Sequence, residues 1–245
     1  MIMASNRVTV WAGCTSKFFL AGTLRSLDKA LSHLGKEMVL IDDVKDACCG
    51  SVLITTGQAA QAKKNIAEVE KLLNKKKVTE LVSICPGCAR TFKEFYMPRK
   101  TNSLGSVKHI SELFFENLYK FKFRKSRKET VITYHDPCHL GRHMGVYEEP
   151  RAVLRAIPGV KLVEMPQTRE EAFCCGSGGG VRAHNKDLAN FASDLRLTQV
   201  RSTKAEFLVT SCPFCERSFN QAQEALGGNT KVINLVDFVA QRLKD

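Results

Sequence analysis

Ten cysteines in 245 residues fall into two sets with nearly the same internal spacing. The first set is Cys14, then Cys48 and Cys49, then Cys85 and Cys88; the second is Cys138, then Cys174 and Cys175, then Cys212 and Cys215. Each contains one single cysteine, one adjacent pair followed by glycine, and one C-x-x-C. Adjacent thiols are poor disulfide partners for one another, so this grouping points to metal binding or redox chemistry rather than a disulfide framework. A structural zinc ion takes four ligands, typically from paired C-x-x-C units, and five thiols exceed its needs. A cuboidal 4Fe–4S cluster takes four cysteines and leaves one over. A more open iron–sulfur cluster, with one iron carrying two thiolates, would use all five. Gly50 and Gly176 follow the cysteine pairs, where a sharp turn lets neighbouring thiols face one site. The run "GSGGG" at 176–180 would let backbone N–H groups approach sulfides closely. As a phosphate loop it lacks the Lys-Ser/Thr that such loops need.

The elements that must position these thiols are duplicated. "VTVWAGC" answers to "VITYHDPC", "DACCGS" to "AFCCGS", "LVSICPGC" to "LVTSCPFC", and "VKHISELF" to "VINLVDFV", in the same order and 124 to 127 residues apart. In the first half "RVTVW" is a β-branched run ending just before Cys14. Leu20, Leu24, Leu27, Leu31 and Leu34 then fall at helical spacing, closed by Gly35. "EMVLI" (37–41) is a second strand, 58–76 a helix with Ala62, Ile66, Val69 and Leu73 on one face, and "ELVSI" (80–84) a strand ending on Cys85. The second half repeats this with "VITYH", a helix near 148–157, "KLVEM", a helix over 186–203 and "EFLVTS". The alternation predicts an α/β protein of two tandem Rossmann-like parallel-sheet modules. In such sheets ligands bind beyond the carboxyl ends of the strands, which is where every cysteine group falls. The expected boundaries are a first module over 7–119, a basic linker over 120–130 and a second module over 131–245. The stretch "YKFKFRKSRKET" around that linker holds six Lys or Arg and reads as solvated.

A net charge of +12 fits anionic substrates or acidic partner proteins as well as nucleic acid. No zinc-finger helix or aromatic ribonucleoprotein motif is present, so nucleic acid is not the expected partner. No apolar run approaches a membrane span and "MIMASNRVTVW" has no signal-peptide core, so a cytoplasmic setting is expected, with peripheral attachment to the membrane's cytoplasmic face through partners.

The pattern C-x33-C-C-x35-C-x-x-C, followed by C-x35-C-C-x36-C-x-x-C, resembles the cysteine-rich CCG domain pair. That pair defines the B subunit of heterodisulfide reductase and the C-terminal part of its D subunit. "CCGSVLITTGQ", "HDPCHLGRH", "CCGSGGG" and "SCPFC" are similar to the D-subunit branch, and the resemblance spans essentially the whole chain. It implies two noncubane 4Fe–4S clusters. One would be held by Cys14, Cys48, Cys49, Cys85 and Cys88, the other by Cys138, Cys174, Cys175, Cys212 and Cys215. The D subunit also carries a ferredoxin-like C-x2-C-x2-C-x3-C-P segment that this sequence lacks. In that respect it is similar to the B subunit, which receives electrons from a ferredoxin-like C subunit with a flavoprotein or membrane cytochrome beyond it.

The activity so implied is reduction of a disulfide, such as the coenzyme M–coenzyme B heterodisulfide. His139 directly follows a cysteine of the second set and is the expected proton donor to a departing thiolate. His135 and His143 suit structural roles as well. Arg142 and Arg182 are the expected contacts for an anionic substrate group, with Lys17 and Arg90 weaker candidates. Two other classes stand beside this reading. One is an iron–sulfur electron relay of a lactate, glycolate or glycerol-3-phosphate dehydrogenase or a quinone-linked complex. The other is a basic zinc module for nucleic acid, against which the fifth cysteine of each set speaks.

Overall fold

The computed structural model describes residues 6–41, 48–126 and 128–244. Residue 127 of the expected linker, the chain's last residue, and Asp46 and Ala47 ahead of the first cysteine pair lie outside the described residues. The first half runs β1 (Arg7–Trp11), α1 (Cys14–Phe19), α2 (Ala21–His33), β2 (Glu37–Leu40), α3 (Ser51–Thr55), α4 (Ala59–Lys75), β3 (Glu80–Ser83), α5 (Pro86–Thr91), β4 (Ser106–His109) and α6 (Ile110–Glu116). The second runs β5 (Thr130–His135), α7 (Glu148–Arg155), β6 (Val160–Leu162), α8 (Val181–His184), α9 (Lys186–Ser202), β7 (Phe207–Thr210), α10 (Pro213–Leu226), β8 (Lys231–Asn234) and α11 (Leu235–Ala240).

Each half is a four-stranded parallel sheet, ordered β2-β1-β3-β4 and β6-β5-β7-β8. The register matches as well: Arg7 pairs with Glu37 and Val131 with Lys161. The order in which strands are added reverses between the two central parallel strands, β1/β3 and β5/β7, so the crevice at their carboxyl ends is the natural ligand position. Cys14, Cys85, Cys138 and Cys212 follow those four strands directly.

Details depart from the sequence expectations where local geometry intervenes. The leucine-spaced helix begins at Ala21, because Leu20 takes φ −136°, ψ 46° and separates α1 from α2. The strand expected over 161–165 stops at Leu162, since pairing with β5 ends there. Within segment 120–130, residues 121–123 are packed rather than free. Phe121 and Phe123 are each 9% exposed, stacked at 5.5 Å, and Phe123 bridges to Leu243 while the Lys122 amide donates to His33 Nε2. Phenylalanines alternating with cations bury one face and solvate the other, as an edge strand does.

The halves are joined by a shared core rather than merely tethered. One apolar cluster takes Val10, Leu27 and Leu31 from the first half and Tyr134, Leu154, Phe238 and Val239 from the second. α11 packs on α2, and α6 on α7. These two contacts are each other's images under exchange of the halves, so the packing is pseudo-twofold.

Candidate metal centre

Local geometry aims the thiols before any tertiary contact does. Cys85 and Cys212 are extended residues capping α5 and α10, each followed by a proline at the first helical position. Cys88 and Cys215 come three residues later, on the same side of the first turn. Gly50 and Gly176 have φ of +84° and +76°, a region L side chains avoid, and each donates its N–H to the sulfur two residues back, Cys48 or Cys174, at 3.4 Å. A Cβ on Gly176 would also lie 2.6 Å from Ala192 Cβ and 2.9 Å from the Ala189 carbonyl.

Side-chain contacts connect the sulfurs in a single row: Cys14, Cys48, Cys49, Cys88, Cys85, Cys212, Cys215, Cys175, Cys174, Cys138. The row reads the same from either end, with the pseudo-twofold between Cys85 and Cys212. All five thiols of the first set and four of the second, all but Cys174, line one cavity of about 130 Å³ at the junction of the halves. Neighbouring thiols share protons, so their acidities diverge. Donation from Cys48 and then Cys88 brings Cys49 down to about 5, while Cys174 and burial, opposed by Cys215, push Cys175 up to about 12. Among the described residues, no three His, Cys, Asp or Glu side chains gather around a point that would suit a single metal ion. The donor set is instead two rows of five soft thiols, which fits a group several atoms wide whose cations offset the thiolate charge.

Of the other expected site residues, only His139 lines the cavity. It follows Cys138 in the second half but reaches the first: a Cβ on Gly87, inside the C-P-G-C turn, would lie 3.1 Å from its Nδ1. Its Nε2 is 3.5 Å from Arg90 Nη1, and its ring meets His143 edge to face at 5.1 Å. Burial, then the Arg90 charge, lowers its pKa. At the pseudo-symmetric position the chain has Thr15 and Phe214 in place of His139 and Gly87, and all four line the cavity.

Arg142 and Arg182 are not among the cavity-lining residues. Arg142 Nη1 donates to the carbonyls of Glu170 and Ala172, at 3.1 and 2.8 Å, and holds the segment leading to Cys174. Arg182 Nε donates to Ser177 Oγ at 2.7 Å and steadies the turn after Cys175. Their place in the two most distinctive motifs gave no sign that both guanidiniums face inward to backbone and serine. His135 is fully buried on β5, its ring edge to face with Phe219 at 4.8 Å. Sequence reasoning missed Phe214, although it stands inside the second C-x-x-C, and the buried Arg151, which binds Asp136 through two bonds of 2.6 and 2.9 Å. A cation at a position where the first half has leucine was the available signal for Arg151.

The CCG cysteine-rich domain matches residues 8–93 and 132–220. The chain is 38% identical over 96% of its length to the D subunit of the dihydromethanophenazine:CoB–CoM heterodisulfide reductase of Methanosarcina acetivorans, and 35% identical over 96% to that of Methanosarcina barkeri. It spans 59% of the length of each of these relatives. It is 31% identical over 98% of its length to the B subunit of the fumarate reductase (CoM/CoB) of Methanothermobacter marburgensis, of which it covers 47%. Among solved structures, the aspartate racemase of Picrophilus torridus overlaps 97% of this chain, and 96% of its own, at 14% identity and a TM-score of 0.41, too loosely to bear on function.

Proposed function

The chain belongs to the family of CCG cysteine-rich domains, and from that premise we propose that it is a disulfide-reducing subunit of an iron–sulfur oxidoreductase. On this reading each five-thiol row holds a noncubane 4Fe–4S cluster, and electrons arrive from a ferredoxin-like partner subunit. The observation that carries it is the double row itself: the five thiols of the first set and four of the second line one cavity, and Cys174 stands 4.0 Å from Cys138 Sγ at its edge. The substrate class is a disulfide with anionic groups, such as the coenzyme M–coenzyme B heterodisulfide for which the Methanosarcina relatives are named. Bound there, the clusters would supply single electrons and a place for substrate sulfur.

Reduction of RS–SR′ consumes two electrons and two protons and releases RSH and R′SH. The chain's own contribution is the proton path and the enclosure. His139 stands between the two rows; burial and then the Arg90 charge lower its pKa, so its imidazolium gives up a proton readily, and it is placed to pass that proton to a thiolate leaving either side. Phe214 and Pro137 give the cavity part of its apolar lining. Arg90 is the guanidinium adjoining the cavity through His139, so it replaces Arg142 and Arg182 as the proposed anion contact. Leu188, Phe191 and Leu195 form an exposed stripe on α9, where α4 has Gln61, Lys64 and Glu68; such a patch supports life as a subunit. Among the described residues no helix is long and apolar enough to cross a membrane.

One observation favours a second reading, electron relay without substrate. The cavity, at about 130 Å³, is smaller than the ~300 Å³ of an ordinary ligand pocket. Iron, sulfide and zinc content with EPR on anaerobically purified protein separates the two. About eight irons per chain, with a new signal on adding coenzyme M under mild oxidation, is the expected result. Eight irons with no response to thiol leaves the relay, and zinc without iron removes both.

A further inference from the structure

The two rows of thiols rest on different beds. Beneath the second lies Arg196 of α9, fully buried, whose Nε–H donates to His135 Nδ1 at 3.3 Å. With Nδ1 accepting, the ring carries its hydrogen on Nε2. That Nε2–H is buried and has no acceptor among the described residues. His135 ends β5 three residues before Cys138 and is near enough to Cys174 for each to perturb the other electrostatically. Burial, and after it the Arg196 charge, lowers its pKa to about 3, so at neutral pH the ring is an uncharged donor.

The guanidinium is not offset by a carboxylate of its own. Arg196 Nη1 donates to the Gln167 carbonyl and to Gln199 Oε1, both neutral, and Nη2 has no partner among the described residues. The nearest acid, Asp136, is already held by both Nη groups of Arg151. In the first half the corresponding residues are Trp11 for His135, Val69 for Arg196, Ala12 for Asp136 and Leu27 for Arg151, all buried. Trp11 also has an unpartnered buried N–H and meets Phe92 edge to face at 4.8 Å, as His135 meets Phe219. Both halves therefore keep a buried N–H under the thiols, and only the second backs it with a cation.

We infer that Arg196, acting through His135, holds the second centre at a higher reduction potential than the first. A cluster gains negative charge on reduction, and a cation shielded from water stabilises that state more than a neutral aliphatic group does. The Nε2–H of His135, left without a protein acceptor and within electrostatic reach of Cys174, is the donor through which the effect would reach a cluster held by the second row. Electrons that enter at the first centre then run downhill to the second. Arg196 and His135 are positioning residues here: Arg196 bonds His135, Gln167 and Gln199, and the pair acts on the second centre rather than on substrate.

The inference rests on the proposal that each row holds an iron–sulfur centre, and the test separates the two. In an EPR-monitored redox titration of the reconstituted full chain at pH 7, two distinct midpoints are expected in the wild type. Arg196→Gln, which can still bond Gln167 and Gln199, should lower the upper midpoint by about tenfold in the reduction equilibrium, ~59 mV for one electron, and leave the lower one in place. Arg196→Lys should restore it, and His135→Phe should lower it with Arg196 intact. Coincident midpoints in the wild type overturn the inference without recourse to any variant. So does an Arg196→Gln protein whose upper midpoint stays put, or whose lower one moves instead. A wild-type protein that takes up no iron overturns the proposed function and this inference together.

Discussion

The two halves use one scaffold and one thiol row, yet they surround it differently. Helices α4 and α9 bury equivalent positions, Ala62, Ile66, Val69, Glu70 and Leu73 against Ala189, Ser193, Arg196, Leu197 and Val200. Within that register the ionisable group changes place: Val69 and Glu70 in one half answer to Arg196 and Leu197 in the other. The first half keeps a carboxylate away from the thiols, bonded by Arg99, Thr101 and Asn102. The second places a cation behind the thiol bed. At the cavity the same divergence sets Thr15 against His139. Duplication thus preserves the thiols, whose spacing has little freedom, and lets the polar surroundings diverge, because a neighbouring charge changes a site's properties without moving the thiols.

The largest effects are expected where the halves meet. Cys85 and Cys212 touch across the pseudo-twofold, whereas Cys14 ends the row. Cys14→Ser should therefore leave the second row's iron in place, while Cys85→Ser should also disturb iron on the second row; iron analysis of the two variants decides it. Next in size is the proton path. His139→Gln is expected to slow disulfide reduction roughly 10²–10⁴-fold with iron content unchanged, and Thr15→Val at the twin position to change it little. Single-turnover rates check both.

Stability separates the twin turns in the same way. Gly176→Ala meets left-handed backbone strain and a fixed carbonyl, and should cost about 3 kcal/mol or more. Gly50→Ala meets the same strain but only the side-chain amide of Asn65, which bonds the Cys48 carbonyl, rather than fixed backbone, and should cost about 1–2 kcal/mol. Denaturant titration of the two proteins gives the difference directly. The smallest effect belongs to Glu70. Burial pushes its pKa up, but the bonds from Arg99, Thr101 and Asn102 outweigh that and hold it below the ordinary value. A depressed carboxylate stabilises the fold above its unfolded pKa, about 4.3, and loses that contribution as pH falls through the folded value. Glu70→Gln should thus cost about 0.5–1.5 kcal/mol at pH 7 and approach the wild type below about pH 4. Denaturant midpoints at the two pH values measure it.

Much of the architecture was legible in the chain. Strand ends, the amphipathic face of α4 and the glycines after each cysteine pair are local matters of periodicity and backbone sterics, and the structure has them where the residues indicated. The duplication was legible for the same reason, since equal folds need equal local patterns. Arg142 and Arg182 were not, because a guanidinium beside a ligand motif looks the same in sequence whether it faces a substrate or a carbonyl. Phe121 and Phe123 were hidden inside a run of cations whose charge dominates composition.

Two ligand sets, their grouping and the sheet edge at which they emerge follow from the order of residues alone, because connectivity and turn geometry act over a few positions. Three further features arise only in the folded molecule. The sets join through Cys85 and Cys212, His139 reaches the opposite half through the room left by Gly87, and Arg196 lies under one row and not the other. Those outcomes depend on how the halves dock. Docking is set by packing between residues more than a hundred positions apart, such as Thr23 with Asp237, which hydrogen-bond at 2.7 Å. No periodicity in the chain encodes such a contact, so it exists only once the shared core has formed.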